Sequence, residues 1–500
     1  MRQRTLAVLA ALSATLWAAA PAHAFCGFYV SGASGDLFNR ATMVVLMRDG
    51  TRTVLSMRNN YDGPPQDFAM IVPVPVVLSE DDVKTLPHAI FDRVDLLAAP
   101  RLVEYWETDP CYVAPPMPVY ATAAGAGPDT TTYELGTLGV TVEAQFVVGE
   151  YQIAILSAQD SSGLDTWLRG EGYNIPQGAG DVLRPYVQAG TKFFVARVDI
   201  ERVERDAGGR ARLSPLRVSY ESAEFALPVR LGLLNSSGTQ DLIVHVLSRE
   251  GRFEVANHPN VTIPTNLVVS EGVRDEFGPF YVSLMDRLLE QHPRHVITEY
   301  AWDAMSCDPC PVEPLSTEEL TTLGLDVVGD RADGFTLTRL HYRYTRETLG
   351  EDLVFRRAEP ITGGRGVPDA EGHLSHEVTR GGDNNFQGRY AILNWWNGSA
   401  ACSSPVRGRR GGPPSGQGRS QPIAATNTAF VTGGDLAGYL AQSVPALGMQ
   451  SSRPSGPPPV RAGGCASCAV GATHAGAGSL LTLGVLALLV LFRAGRRNKD

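Results

Sequence analysis

The chain has no Gly-x-Ser-x-Gly elbow, no P-loop and no Gly-x-Gly-x-x-Gly fingerprint. The local signatures of α/β-hydrolases, P-loop NTPases and dinucleotide-dependent enzymes are therefore missing. A scattered Ser-His-Asp triad survives that test, because its members need not be neighbours in sequence. Positive charge is also scarce. Of 43 Lys and Arg against 53 Asp and Glu, two basic residues lie in 1–24, and five basic and one acidic in 461–500. That leaves residues 25–460 with 36 basic and 52 acidic side chains, a charge of −16, which argues against nucleic acid as a partner. Only 19% of residues are charged, while 52 Gly and 34 Pro punctuate the chain, so long helical bundles are excluded and a turn-rich fold is expected. No internal repeat is found, and long apolar runs occur only at the two ends.

The N-terminal run has the form of a secretory signal. Arg2 and Arg4 precede an uncharged stretch over 6–20, and Ala22-His23-Ala24 supplies small residues at −3 and −1, predicting cleavage between Ala24 and Phe25. A lipoprotein signal using Cys26 is the rival, but Phe25 is too bulky for the position before the modified Cys. At the other end, residues 469–492 carry no Asp, Glu, Lys or Arg and are followed by Arg493, Arg496, Arg497 and Lys499, a pattern that keeps the basic end cytoplasmic. Its densely apolar part, 480–492, makes about 20 Å of helix against a hydrocarbon core of about 30 Å. Upstream stands Gly463-Gly464-Cys465-Ala466-Ser467-Cys468. Gly-Cys, a short apolar helix and a terminal Arg cluster together resemble the myxobacterial C-terminal sorting signal. The resemblance implies processing near Cys465 and Cys468 and attachment at the cell surface. Eleven residues separate Cys468 from Leu480, a wider spacing than that signal usually has. A permanent single-pass segment is the alternative.

Between these ends the sequence predicts an α+β, β-rich body over 25–402, mostly antiparallel with a few short helices. A subdomain boundary is placed near 205–215, a Gly/Pro/Ser-rich linker over 403–464 and the terminal element over 465–500. Asp49-Gly50 between apolar runs 43–47 and 53–57 reads as a type I′ hairpin. Pro73 and Pro75 place the strand over 68–76 at a sheet border. Ile90, Val94 and Leu97 after Pro87 mark an amphipathic helix. Strands are expected over 140–148, 151–156, 193–203, 225–234, 242–247, 297–302, 335–344 and 389–393, and helices over 164–169, 181–187 and 280–291. A helix over 316–323 is expected with a Ser316/Glu319 capping box and a stop at Gly324. Residues 436–440 form a short segment able to dock back on the body, and the Pro-rich run 450–464 reads as a stiff spacer holding the body off a surface.

The blocks Phe25-Cys26-Gly27-Phe28-Tyr29-Val30, residues 44–57, Asn59-Asn60-Tyr61-Asp62-Gly63-Pro64-Pro65 and Phe68-Ala69-Met70-Ile71-Val72-Pro73-Val74-Pro75 resemble a family of secreted bacterial proteins catalogued as domain of unknown function 2330 (DUF2330). Glu104-Tyr105-Trp106 and residues 349–355 extend the match over most of 25–400. The family brings no activity or catalytic residues with it.

Five cysteines lie in the body: Cys26, Cys111, Cys307, Cys310 and Cys402. In an exported chain Cys307-Asp308-Pro309-Cys310 reads as a local disulfide. A redox pair is the less favoured reading, since Pro309 and Pro311 suggest a turn in place of a helix N-terminus. His292 and His295, separated from Cys307 by eleven intervening residues, complete the ligand count of a tetrahedral zinc site with Cys307 and Cys310. His373-Leu374-Ser375-His376-Glu377 has neither order used by zinc metalloproteases and reads as a solvated loop. Trp395 and Trp396, with Tyr390 and Asn397, are candidates either for stacking on a ligand or for packing. The expected protein is exported and anchored at the cell envelope through its C-terminal helix or the sorting machinery. It has a binding or structural role toward an unspecified surface ligand, with no cofactor and no catalytic residue assigned. A surface hydrolase, zinc-dependent through His292, His295, Cys307 and Cys310, is the alternative.

Overall fold

The computed structural model describes residues 28–31, 38–62, 68–111, 141–173, 175, 178–205, 211–235, 239–308, 310–400, 402–411, 423–424, 432–451 and 461–462. Ala24, Phe25, Cys26, Cys465, Cys468 and the apolar run 469–492 lie outside the described residues.

The fold is β-rich and mostly antiparallel, with a few short helices. Its centre is a mixed sheet of eleven strands. The hairpin Phe38–Asp49/Arg52–Asp62 pairs in parallel with Gln240–Ser248, followed outward by Thr336–Tyr344 and Val296–Asp303. Leu216–Glu221 and Val83–Thr85 extend the other side. Residues 43–47 read as one apolar run because both faces of their strand are covered. Val44 and Leu46 enter one core, and Val45 and Met47 another.

On the first face lies an antiparallel five-stranded sheet in the order Phe28–Ser31, Phe68–Val74, Lys192–Val198, Tyr151–Ser157, Thr141–Val148. Met70, Val72, Ile153, Ile155 and Phe194 meet Val44, Leu55, Val244 and Leu340 there. Its outer face, through Ile71, Phe193 and Val195, packs on Leu164, Leu168 and Leu183 of helices Ser161–Gly170 and Ala179–Gln188. The opposite face of the central sheet is covered by helix His88–Ala98 and the 315–328 segment. Beside them, helix Phe277–Gln291 is clasped between the central sheet and a third sheet built on Leu267–Val269, Arg389–Asn394 and Arg101–Glu107. Residues 436–449 dock on the same helix through Leu436, Leu440, Val444 and Leu447.

Several local expectations are corrected. The hairpin turn is Gly50-Thr51, since Asp49 still pairs with Arg52. Positive φ is confined to Gly50 (+55°), the first central residue, as in a type II′ turn and unlike I′. Phe68–Val74 is the second strand of its sheet. Pro73 is tolerated because Phe28–Ser31 pairs only with residues 68–71, leaving the missing N–H beyond the end of that neighbour. The strand expected over 225–234 is reduced to Ala226–Leu227 and gives way at Pro228 to a 3-10 turn, Arg230–Asn235. The capping box closes as expected, with Glu319 N–H donating to Ser316 Oγ at 3.1 Å and Ser316 N–H to Glu319 Oε2 at 2.8 Å. Gly324 adopts φ +133°, yet the chain continues into another turn at Asp326–Val328, with Val54 packed where a Cβ would sit. After the Pro-rich run the chain returns to the body, where Arg461–Ala462 pairs in parallel with Ser399–Ala400. Most of the run expected to act as a spacer, residues 452–460, lies outside the described residues.

Candidate functional site

Strand Thr336–Tyr344 alternates Leu340, Tyr342 and Tyr344 on one face with Arg339, His341 and Arg343 on the other. Read alone, the second face looks solvated, but helices His88–Ala98 and Phe277–Gln291 cover it. The neighbouring strands supply its partners. Asp241 comes from Gln240–Ser248. Glu299 comes from a bulge in Val296–Asp303, where Thr298 pairs with Leu340 but Tyr300 with Arg339, the kind of irregularity that re-aims a side chain. The covering helices add Asp95, Tyr281 and Asp286.

These groups form a continuous chain of charged hydrogen bonds. Arg339, fully buried, donates Nε–H to Glu299 Oε2 at 2.8 Å and contacts Asp95 through Nη1. The Tyr281 hydroxyl donates to Glu299 Oε1 and lies 2.9 Å from His341 Nδ1. His341 Nε2 is 2.9 Å from Asp241 Oδ1, which also accepts from Arg343 Nε at 2.9 Å, and Arg343 reaches Asp286 at the surface. Burial opposes charge on His341, but the bonds to Asp241 and Glu299 outweigh it and its pKa ends above the ordinary imidazole value. Burial is likewise overcome at Asp241, chiefly by His341 and Arg343, and at Glu299, chiefly by Arg339. Both are held below the usual carboxylate range. At Asp95 burial wins over Arg339 and the pKa is raised. His245, the cross-strand neighbour of Arg339, is pushed well down by burial and by that guanidinium, and so stays neutral.

Asp241, His341 and Tyr281 have the order of an acid-base-hydroxyl triad. The hydroxyl is turned inward to Glu299, however, and Tyr281 is 1% exposed, so it offers no nucleophile to a substrate. What the chain can do is share protons among buried groups and fix the covering helices on the sheet.

A second charged cluster lies at the end of the third sheet. Glu107 accepts Arg407 Nε and Nη2 at 2.7 and 2.6 Å and the N–H groups of Gly408 and Trp396 at 2.7 and 3.1 Å. Beside it, the Arg410 guanidinium stacks 4.1 Å from the Trp395 ring centroid. Cys111 and Cys402 are joined across 291 residues, and both arginines follow Cys402 within eight residues.

Cys307 and Cys310 are joined to each other. His292 and His295 stand near one another, ring centroids 5.2 Å apart, but strand Val296–Asp303 runs between them and the cysteines. Eight extended residues span about 26 Å, and both sulfurs are engaged in the bridge, so the four residues are not a zinc set. Among the described residues, Asp369, Glu371 and His373 do place ligand atoms within 4.8 Å of one another, all three exposed. His376 turns away to the Thr265 carbonyl. Tyr390 is core. The Trp395 face is taken by Arg410, and Gly398 sits against the Trp396 ring, which favours the packing role for both indoles. Sequence reading missed Glu299, Arg339 and His341. The available signal was a strand with three basic residues at alternate positions, while the helices that cover it, His88–Ala98 and Phe277–Gln291, lie far from it in sequence.

No curated protein and no solved structure matches the chain. A family model described as "Uncharacterized protein conserved in bacteria (DUF2330)" matches residues 20–356, which takes in the five-stranded sheet, the central sheet except its strands Ile361–Gly363, Thr379–Arg380 and Asn385–Gln387, and every member of the buried charge chain. The chain belongs to the DUF2330 family.

Proposed function

We propose that this is an exported protein held at the cell envelope by its C-terminal end, with a binding or structural role carried by the β-rich body. The observation that carries the reading is the Cys111–Cys402 bridge, because long-range disulfides persist in oxidising compartments and are rare in the cytosol. The signal-like run ending at Ala24 and the Gly-Cys, apolar and basic elements of 463–500 support the same address. The inward-facing hydroxyl of Tyr281 and the engaged aromatic faces of Trp395 and Trp396 favour a structural or binding body over a hydrolase. N-terminal sequencing and non-reducing peptide mapping of the envelope fraction test it. A mature start at Phe25 with both bridges intact is expected. A cytosolic chain starting at Met1 with free thiols overturns the reading.

A further inference from the structure

We propose that the protein forms a two-fold symmetric dimer by pairing strand Thr141–Val148 with the same strand of a second copy, which joins two five-stranded sheets edge to edge. The pairing does not depend on the envelope anchoring proposed above.

Thr141–Val148 is the outermost strand of its sheet and pairs on one side only, with Tyr151–Ser157. The ladder fixes which backbone groups are left over. Asp199 N–H donates to the Glu150 carbonyl at 2.8 Å, so the even-numbered residues along Tyr151–Ser157 turn their backbone groups toward Lys192–Val198. The odd-numbered ones, Tyr151, Ile153 and Ile155, bond to Val148, Phe146 and Ala144. Gln145 and Val147 therefore point their N–H and C=O groups away from the sheet, and among the described residues no hydrogen bond closes them.

Sheet borders of this kind are ordinarily short, charged or interrupted by proline. The opposite border, Phe28–Ser31, has four residues, whereas this one has eight. It holds no Pro, Lys or Arg, and its one carboxylate, Glu143, is drawn to Ser157 and Lys192. The bulge between Val142 and Ala144 leaves 144–148 regular. Ala144, Phe146 and Val148 are only partly buried where they pack on the main core, and Val147 is 50% exposed on the other face.

The occupant is a second copy because the segment complements itself. With the two-fold axis at Phe146, antiparallel pairing sets Gln145 opposite the partner's Val147 and Val147 opposite the partner's Gln145, so the outward N–H and C=O groups of both meet partners. The inward side chains match apolar with apolar, Phe146 against the partner's Phe146 and Ala144 against the partner's Val148, which extends the core across the joint. No charge faces a like charge. An isologous contact of this kind uses up the border in each copy, so assembly stops at two chains. One strand pair is smaller than a standard interface, which makes the dimer weak and concentration-dependent.

Sedimentation of the full chain in mild detergent, from low to high micromolar concentration, tests the pairing. Wild type is compared with two charge variants, one carrying Gln145→Lys and Val147→Lys, the other Gln145→Glu and Val147→Glu. Both positions are exposed, and unchanged thermal melting of each variant checks the fold. Wild type should shift from the mass of one chain to that of two. Each variant alone sets like charges opposite one another and should weaken association by at least about tenfold, while an equimolar mixture of the two should recover the dimer. A wild type that stays monomeric at high concentration overturns the proposal, and so does a dimer that both variants keep undiminished, since it is then held elsewhere in the chain. Two monomeric variants that fail to pair on mixing overturn the register about Phe146.

Discussion

Replacing Arg339 by Met tests whether the buried charge chain holds the helices on the sheet. The guanidinium is enclosed between Glu299 and Asp95, with Arg339 and Glu299 both at 0% side-chain exposure. Its removal leaves two carboxylates in the interior facing an apolar side chain. Breaking one side of such a pair costs about 3–5 kcal/mol, most of it the desolvation of the orphaned charge. With an unfolding entropy of about 2.1 cal/mol/K per residue over a body of roughly 400 residues, 4 kcal/mol lowers Tm by about 5 °C. The loss should depend on pH in a defined direction. Without Arg339 both carboxyl pKa values rise, the folded state takes up protons that the unfolded state does not, and the deficit narrows as pH falls from 7 toward 5. Thermal melts of wild type and R339M at both pH values provide the measurement. Arg52→Met, which removes one half of an ion pair exposed by 57% and 66%, serves as control and should change stability by less than about 0.5 kcal/mol. A loss at Arg339 below about 1 kcal/mol, or one of equal size at both pH values, would refute the reasoning.

Three further outcomes are expected. In the chain-entropy account, removing the Cys111–Cys402 bridge costs about 6 kcal/mol and removing Cys307–Cys310 about 2; denaturant midpoints of the two double Cys→Ser variants should rank in that order, and the reverse ranking would count against it. At Gly364, with φ +68° and a Cβ position only 1.9 Å from the Gln387 carbonyl oxygen, Gly→Ala should destabilise by about 2 kcal/mol or more, against about 1 at Gly50, which has positive φ but open space; equal melting shifts would show that the contact has no effect. For His341, raised in the folded state, the charged form adds stability that is complete below the unfolded value near 6.5 and is lost as pH rises through the folded value; His341→Gln should flatten that limb of the stability-pH curve, and an unchanged limb would place the titration elsewhere.

The central hairpin, the helix after Pro87 and the Ser316 cap were legible in the sequence because each rests on local chemistry: a glycine where φ must be positive, an apolar stripe at helical spacing, a hydroxyl three residues before a carboxylate. What was not legible depends on who covers whom. The alternation in Thr336–Tyr344 is the same whether its basic face meets water or two helices, and only the fold decides. The bulge that turns Glu299 inward has no local signature, since Thr298 and Tyr300 are ordinary strand residues. His292, His295, Cys307 and Cys310 failed as a metal site for a comparable reason. Eleven intervening residues look short in sequence, but once they include an eight-residue strand the two pairs sit at opposite ends of it.

The parallel joint between Phe38–Asp49 and Gln240–Ser248 also bears on how such a chain is made. A polypeptide is synthesised from its N-terminus, so the hairpin that ends at Asp62 waits for nearly 180 further residues before the strand that closes its inner edge arrives. Until then it presents a long apolar edge with unpaired backbone groups, the geometry most prone to pairing with another molecule. Truncations ending before residue 240 keep that edge open permanently and should yield aggregating products in place of a smaller folded unit, whatever their apparent composition.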